Sequence, residues 1–561
     1  MINYTKTDFD ITKLGSFYSQ QKTIFRVFAP ESKGVSLHIA NQSFNMHRKN
    51  YYYEIAIGGN LEGYRYYYKH SDGTEFRDPF AYYSDDKYSY ILNPRRFNDT
   101  KIEVKNKKKT VIYETSVRDF SCDDSFPNDV KRKFLSLTFE NLKINNYYMA
   151  GLDYLKNLGI SHIQILPVFS FDLDRADYNW GYNPLAYNLI HSDYVLQKDN
   201  AYAHVNELRK MVNCFHGNDI RVILDVVFNH VYRAGSFDLA KMVGMKHVFR
   251  YKSDGKMANG TYCGNEIKSE DLFMREYIVY MCKRYVELFD IDGIRMDLMG
   301  ILDYETVNRI KDELREIKPE FMVYGEGWNM GDVLYPEKRA SLNNASKMKD
   351  IGMFNDFFRE TMINAVVKGD VNLEKIEAAL SGNSNNLNPE TSINYVECHD
   401  NSTFYDRLIA DNNDISIVTA VQKCKLALGL VLLSKGIPFI HAGEEFLRTK
   451  KMVENSYNSD ESINKIDWNR RVEYNDVCDF TKSLIKIRNE YDFDGDISFE
   501  DHNPILVCHI GKLDIYFNLS ELSGEYNLNY TSRLIFDGTN ETDEIRDILD
   551  FPPYSLMICT H

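Results

Sequence analysis

Residues 291–300 read IDGIRMDLMG, a short apolar run that ends in an arginine, a spacer and an aspartate. In a strand, residues i and i+2 project to the same face. Arg295 and Asp297 then stand side by side where the strand stops, with the guanidinium holding the carboxylate ionised. Upstream, Tyr277, Met281, Tyr285 and Leu288 recur at helical spacing. Downstream, Val307, Ile310, Leu314 and Ile317 mark a second helix, ended at Pro319 and followed by the strand FMVYGEG. Strand and helix alternate, which implies parallel pairing with helical crossovers.

The same alternation extends both ways. Strands are predicted at 111–117, 162–168, 221–227, 292–297, 321–326, 351–356, 393–399 and 436–441, with helical segments between most of them. Eight such units are the count of a (β/α)8 TIM barrel. An open doubly wound sheet is the alternative, weakened because no GxGxxG follows the first strand. Residues 1–105 read differently: KTIFRVFAP, GVSLHIA, NYYYEIAI and GYRYYYKH are short strands with no useful helical period, hence an N-terminal β-sandwich. From residue 495 the chain reverts to short strands, ILVCHI, LDIYFNL, GEYNLNY, RLIFDG and YSLMIC, read as a C-terminal β-sandwich. The barrel occupies 106–494.

Composition narrows the function classes. The formal net charge of −15 argues against nucleic acid or an anionic membrane as partner. No run of about 18 apolar residues suggests a membrane span, and MINYTKTDFD has neither a basic nor an apolar leader region. Nine scattered cysteines without a CxxC suggest free thiols and a cytoplasmic location. The chain has 40 tyrosines. Most must fill cores, but a ring face with a polar edge also suits sugars.

In a barrel of this kind the active site lies where strands end. Strand three ends Asp225–Asn229–His230, strand four Arg295–Asp297, strand five Glu326, strand seven His399–Asp400, and strand eight His441 with Glu444 and Glu445. Histidines with carboxylates could ligate zinc or manganese. Yet no HxH or HExxH is present, and Arg295 is a poor neighbour for a divalent cation. Glycoside hydrolysis fits better. A retaining enzyme needs an ionised nucleophile and a protonated acid about 5–5.5 Å apart, and adjacent strands lie about 4.8 Å apart. Asp297 beside Arg295 suits the first role. Glu326, near Trp328 and a second negative charge, suits the second.

The motifs DVVFNH, GIRMD, GEGW and VECHDN resemble, in order and spacing, the four signature regions of the α-amylase superfamily, glycoside hydrolase family thirteen. Within it, YNWGYNP (residues 178–184) and GIPFIHAGEEFLRTK resemble type I pullulanases. KTIFRVFAP resembles the start of a family forty-eight carbohydrate-binding module.

The resemblance implies Asp297 as nucleophile, Glu326 as acid/base and Asp400 as stabiliser of the distorted sugar. It implies that Arg295 orients Asp297, that His230 and His399 bond sugar hydroxyls, and that Tyr182 stacks on the sugar ring. Trp180, Trp328 and Asn401 are expected in the substrate groove. The implied reaction is hydrolysis of α-1,6 bonds in pullulan, glycogen or limit dextrins by a monomer. No cofactor is required, but Asn229 matches a position that binds calcium in some relatives. The N-terminal module is expected to pack on the barrel. Asn183, Met296, Cys398 and Glu444 depart from the usual Asp, Phe, Ser and Gln. An isoamylase-type debranching enzyme, a branching transferase with the same carboxylates, and a non-catalytic glucan-binding protein are the competing readings. Intact Asp297, Glu326 and Asp400 weigh against the last.

Overall fold

The structure, a computed structural model, describes residues 4–561 apart from 7, 106 and 175. Its centre is a closed barrel of eight parallel strands in sequence order: Ile112–Thr115, His162–Ile165, Arg221–Val226, Gly293–Met296, Met322–Gly325, Gly352–Phe354, Ser392–Asn394 and Ile437–His441. The ring closes where Ile112 pairs with Phe439 and Glu114 with His441. Nearly every strand residue is buried, as expected when helices cover the outside and side chains fill the inside. Ile112, Ile223, Tyr324, Phe354, Ile393 and Phe439 pack together within the ring, so the barrel is a filled core and not a pore.

Local chemistry sets the crossovers. The helix Leu272–Phe289 begins at Asp271, whose carboxylate accepts the Phe273 N–H, and ends at Asp290 in a left-handed conformation. The helix Tyr304–Ile317 is capped by Asp303, which accepts the Thr306 N–H. Its stripe of Val307, Ile310 and Leu314 is fully buried, each side chain contributing about 1.5–3 kcal/mol.

The N-terminal strands form two facing sheets. One holds Gly15–Tyr18, Lys22–Phe28, Tyr52–Gly58 and His47–Lys49. The other is built on Val35–Ile39 and Arg65–His70. This sandwich leans on the helix before strand four: Phe28 stacks on Phe273 at 5.2 Å, and Phe80 meets Tyr277 edge-on at 5.5 Å.

The C-terminal strands join in one six-stranded antiparallel sheet. One face packs on the barrel helices through residues such as Phe517, Phe536 and Leu556. The sheet also folds over itself. Tyr516 touches Tyr526 and Phe551, which lie on strands not adjacent to its own. A second small core results, containing Val507, Leu534 and Leu549. The segments GEYNLNY and RLIFDG prove to be one bulged strand, Gly524–Phe536. Its partner Glu541–Phe551 was not legible as a strand.

Candidate active site

The site is organised around one arginine. Arg295, 1% exposed, projects into the barrel mouth from strand four. Its Nη1 lies 3.1 Å from Asp225 Oδ1 and 3.2 Å from Asp297 Oδ1, and its Nη2 lies 2.7 Å from Glu326 Oε1. Three carboxyl groups from strands three, four and five thus share one planar fork, whose geometry suits paired carboxylate oxygens. The second oxygen of Asp297 is held separately: Asn229 Nδ2 donates to Oδ2 at 2.7 Å.

The turn after Asp297 is built for this contact. Leu298 adopts φ +40°, a conformation that a side-chain-bearing residue rarely takes. Its N–H is thereby directed to Glu326 Oε2 at 2.9 Å. Two residues on, a Cβ at Gly300 would lie 2.0 Å from the Trp328 carbonyl oxygen, so only glycine lets the two loops meet. The Gly300 N–H donates to the Glu326 carbonyl at 2.9 Å.

Burial raises two of the acids. Burial pushes Glu326 up to about 7, aided by the charges of Asp297 and Asp400 and opposed by Arg295. Burial likewise raises Asp225 to about 6, with Arg295 again opposing. A carboxyl near 7 can hold a proton at neutral pH and then release it, as acid/base chemistry demands.

Strand seven supplies His399 and Asp400. His399 donates through its backbone N–H to Glu114 Oε2 at 2.8 Å, and its Nδ1 lies 2.8 Å from Glu114 Oε1. Burial alone would lower this imidazole, but the charges of Glu114 and Asp400 outweigh it and raise it to about 9. Asp400 remains half-exposed, with one oxygen 3.7 Å from His399 Nε2. His230 is buried with Nδ1 2.6 Å from Asn229 Oδ1, and its Nε2 has no partner among the described residues. Burial holds its pKa below the ordinary imidazole value, against the pull of Asp297. A neutral imidazole nitrogen left unpaired can bond a ligand hydroxyl. Tyr182 donates to Asp225 Oδ2 at 2.8 Å and lies parallel to His399 at 5.0 Å.

Beside Glu326 opens a cleft of about 250 Å³, lined among others by Trp328, Asp356, Arg359, Asp400 and Asn401. A larger cavity of about 540 Å³ lies at the opposite end, where strands begin. There Lys318 bridges Asp290 and Asp292.

Comparison with known proteins settles the family. The α-amylase catalytic-domain model matches residues 149–243. A pullulanase of Bacillus subtilis (strain 168) is 34% identical over 521 residues, covering 85% of this chain and 71% of that protein. The chain belongs to the pullulanase family. The crystal structure of a pullulanase from Anoxybacillus sp. LM18-11 complexed with maltotetraose superposes with a TM-score of 0.92 at 29% identity, covering 99% of this chain and 89% of that one. The pullulanase from Paenibacillus barengoltzii complexed with maltohexaose and α-cyclodextrin gives 0.92 at 31%, covering 99% and 96%.

Against this pullulanase background, nine of the ten site residues read from sequence gather at one mouth: Asp297, Glu326, Asp400, Arg295, His230, His399, Tyr182, Trp328 and Asn401. The tenth, Trp180, is 4% exposed and packs edge-on against His399 at 5.1 Å, with its indole N–H donated to Asn464 at 3.2 Å. A buried indole N–H needs such a partner.

Sequence reasoning missed Glu114, Gln164 and Lys450. Glu114 and Gln164 point inward from mid-strand, not from a strand end, and bond each other at 2.8 Å. The one available signal was a carboxylate inside the apolar run VIYETSV.

The calcium position implied by the resemblance is Asn229. Its amide nitrogen serves Asp297 and its carbonyl oxygen serves His230. Among the described residues no three Asp, Glu, His or Cys side chains gather as a metal cluster, whereas calcium takes about six to eight oxygen ligands.

Proposed function

We propose that the protein is a debranching glycoside hydrolase that cleaves α-1,6-glucosidic bonds in pullulan and branched α-glucans with retention of configuration. The observation that carries this reading is the single Arg295 fork shared by Asp297 and a Glu326 whose burial raises it to about 7. In the first step a carboxylate oxygen of Asp297 attacks the anomeric carbon while Glu326 gives its proton to the departing O6. This leaves a glycosyl ester on Asp297. In the second step Glu326, now ionised, takes a proton from the attacking water. The ester C–O bond breaks, Asp297 is released, and Glu326 is protonated again.

The remaining groups bind and orient. His230 Nε2 takes a sugar hydroxyl, His399 and Asp400 grip the ring as it flattens, and Tyr182 and Trp328 offer aromatic faces. Because Glu326 serves the leaving group, the cleft beside it holds the main-chain glucose. The reading is of a monomer, and the chemistry calls for no cofactor. All nine cysteines are free thiols, which supports a reducing, cytoplasmic setting. No helix among the described residues is long and apolar enough to cross a membrane.

The test is Asp297→Asn. The substitution keeps the shape and the Asn229 and Arg295 neighbours while removing the nucleophile. Turnover on pullulan should fall by about four orders of magnitude or more, with the thermal midpoint little changed. Near-normal turnover would remove Asp297 from its role.

A further inference from the structure

Asp297 and Glu326 are each gripped by two or more hydrogen-bonding groups, but Asp400 is not. Its carboxylate accepts no hydrogen bond within the protein among the described residues, and its one close charge contact is the 3.7 Å approach of His399 Nε2. A half-exposed side chain in that condition inherits its placement from its backbone. That backbone is unusual, because Asn401, the next residue, sits at φ +62°.

The group that holds this backbone comes from the loop after strand eight. Lys450 is 1% exposed. Its ammonium donates to the carbonyl oxygens of His399 and, at 3.1 Å, of Asn401, the residues flanking Asp400. The same ammonium lies 5.0 Å from the Trp180 ring centroid, a cation–π contact that gives the buried indole a purpose.

The loop that presents Lys450 is itself fixed at a cost in backbone strain. Lys451 and Met452 adopt φ +54° and +66°. Asp406, buried near the start of the helix Phe404–Asp411 that follows the Asp400 loop, binds the turn. It accepts the Thr449 hydroxyl, the Lys450 N–H at 2.7 Å and the Met452 N–H at 3.3 Å. Asp406 thus joins the two loops, and Lys450 reaches back across the junction.

We propose that Lys450 is the positioning residue for Asp400, its buried ammonium clamping the carbonyls on either side so that the carboxylate is preset for the sugar. The proposal rests on the debranching reading above, in which Asp400 steadies the distorted ring. A buried lysine placed only for packing would have no need to choose those two carbonyls. Donors fixed before substrate arrives cost nothing to reorganise during reaction.

Lys450→Met keeps the aliphatic stem and removes all three N–H donors, and Lys450→Arg keeps donors. Both are assayed on pullulan in the otherwise native enzyme and in Asp400→Asn. Lys450→Met should lower kcat on the order of a hundredfold, the effect of a catalytic group displaced by about an ångström. KM should change much less, and Lys450→Arg should recover part of the loss. In the Asp400→Asn background the same substitution should cost little further, because Lys450 acts through Asp400. If Lys450→Met does not fold, Asp406→Asn replaces it. That variant loosens the turn while retaining the ammonium, and the same dependence on Asp400 is expected. A kcat within about twofold of the native value, or an equal loss with and without the Asp400 carboxylate, overturns the clamp. A native enzyme that releases no sugar from pullulan refutes the debranching reading instead.

Discussion

Replacing Arg295 with methionine should disturb the site in a way that can be worked through in advance. The substitution preserves a linear apolar stem and deletes a fork that touches Asp225, Asp297 and Glu326 at 3.1, 3.2 and 2.7 Å. A unit charge pair about 4 Å apart in an effective dielectric of about 20 is worth about 4 kcal/mol. At about 1.4 kcal/mol per pKa unit, removing Arg295 can raise Glu326 by at most about three units, and relaxation should leave at least about one. Glu326 already stands at about 7 because burial outweighs Arg295. Without the arginine, the loss of kcat/KM at high pH should therefore move well into the alkaline range. Turnover should fall as well, because Asp297 keeps only Asn229 to orient it. Stability should drop by about 3–5 kcal/mol, the usual result of leaving buried carboxylates without their partner. The destabilisation should deepen with pH, since a carboxyl raised in the folded state penalises folding once the unfolded chain ionises. Pullulan kinetics across pH, paired with thermal denaturation of the same samples, reads all three effects. An Arg295→Met enzyme whose high-pH limb stays near 7 and whose thermal midpoint is unchanged would refute the reasoning.

Two other substitutions have expected outcomes of their own. Glu114→Gln keeps the shape of the partner of His399 but removes the charge that helps raise the imidazole to about 9. A raised imidazole stabilises fully below its ordinary pKa and loses that contribution as pH rises through its folded value. The variant should therefore be less stable than the parent at neutral pH, with the gap narrowing above about pH 9; a gap independent of pH in thermal denaturation would count against it. Glu444 carries the opposite sign. Burial and its neighbours Glu397 and Glu445 push this carboxyl well above the ordinary value, so Glu444→Gln should stabilise increasingly as pH rises above about 4.5 and leave turnover unchanged. A destabilised variant at pH 8 would show that the carboxyl is needed in its charged form.

The barrel was legible because its strands are buried on both sides and read as apolar runs, separated by helices with clear stripes. All eight predicted segments overlap observed strands. The strand Glu541–Phe551 was hidden for the opposite reason. It lies at a sheet edge, most of its residues are exposed, and its charged side chains leave no alternation to find. At the candidate site, strand ends pointed to the cluster around Arg295 because carboxylates and imidazoles recur there along the sequence. Glu114 and Lys450 escaped because their partners lie 285 and 51 residues away. Their meaning appears only when the ring closes and brings the first, seventh and eighth strands together. At Trp180, nothing in the local sequence reveals that Asn464, 284 residues away, claims its N–H.

The most direct test of the account is to follow pullulan hydrolysis by NMR as products first appear. The site predicts maltotriose released by α-1,6 cleavage, with the new reducing end in the α configuration before mutarotation. Panose, lengthened branches or a β product would contradict it.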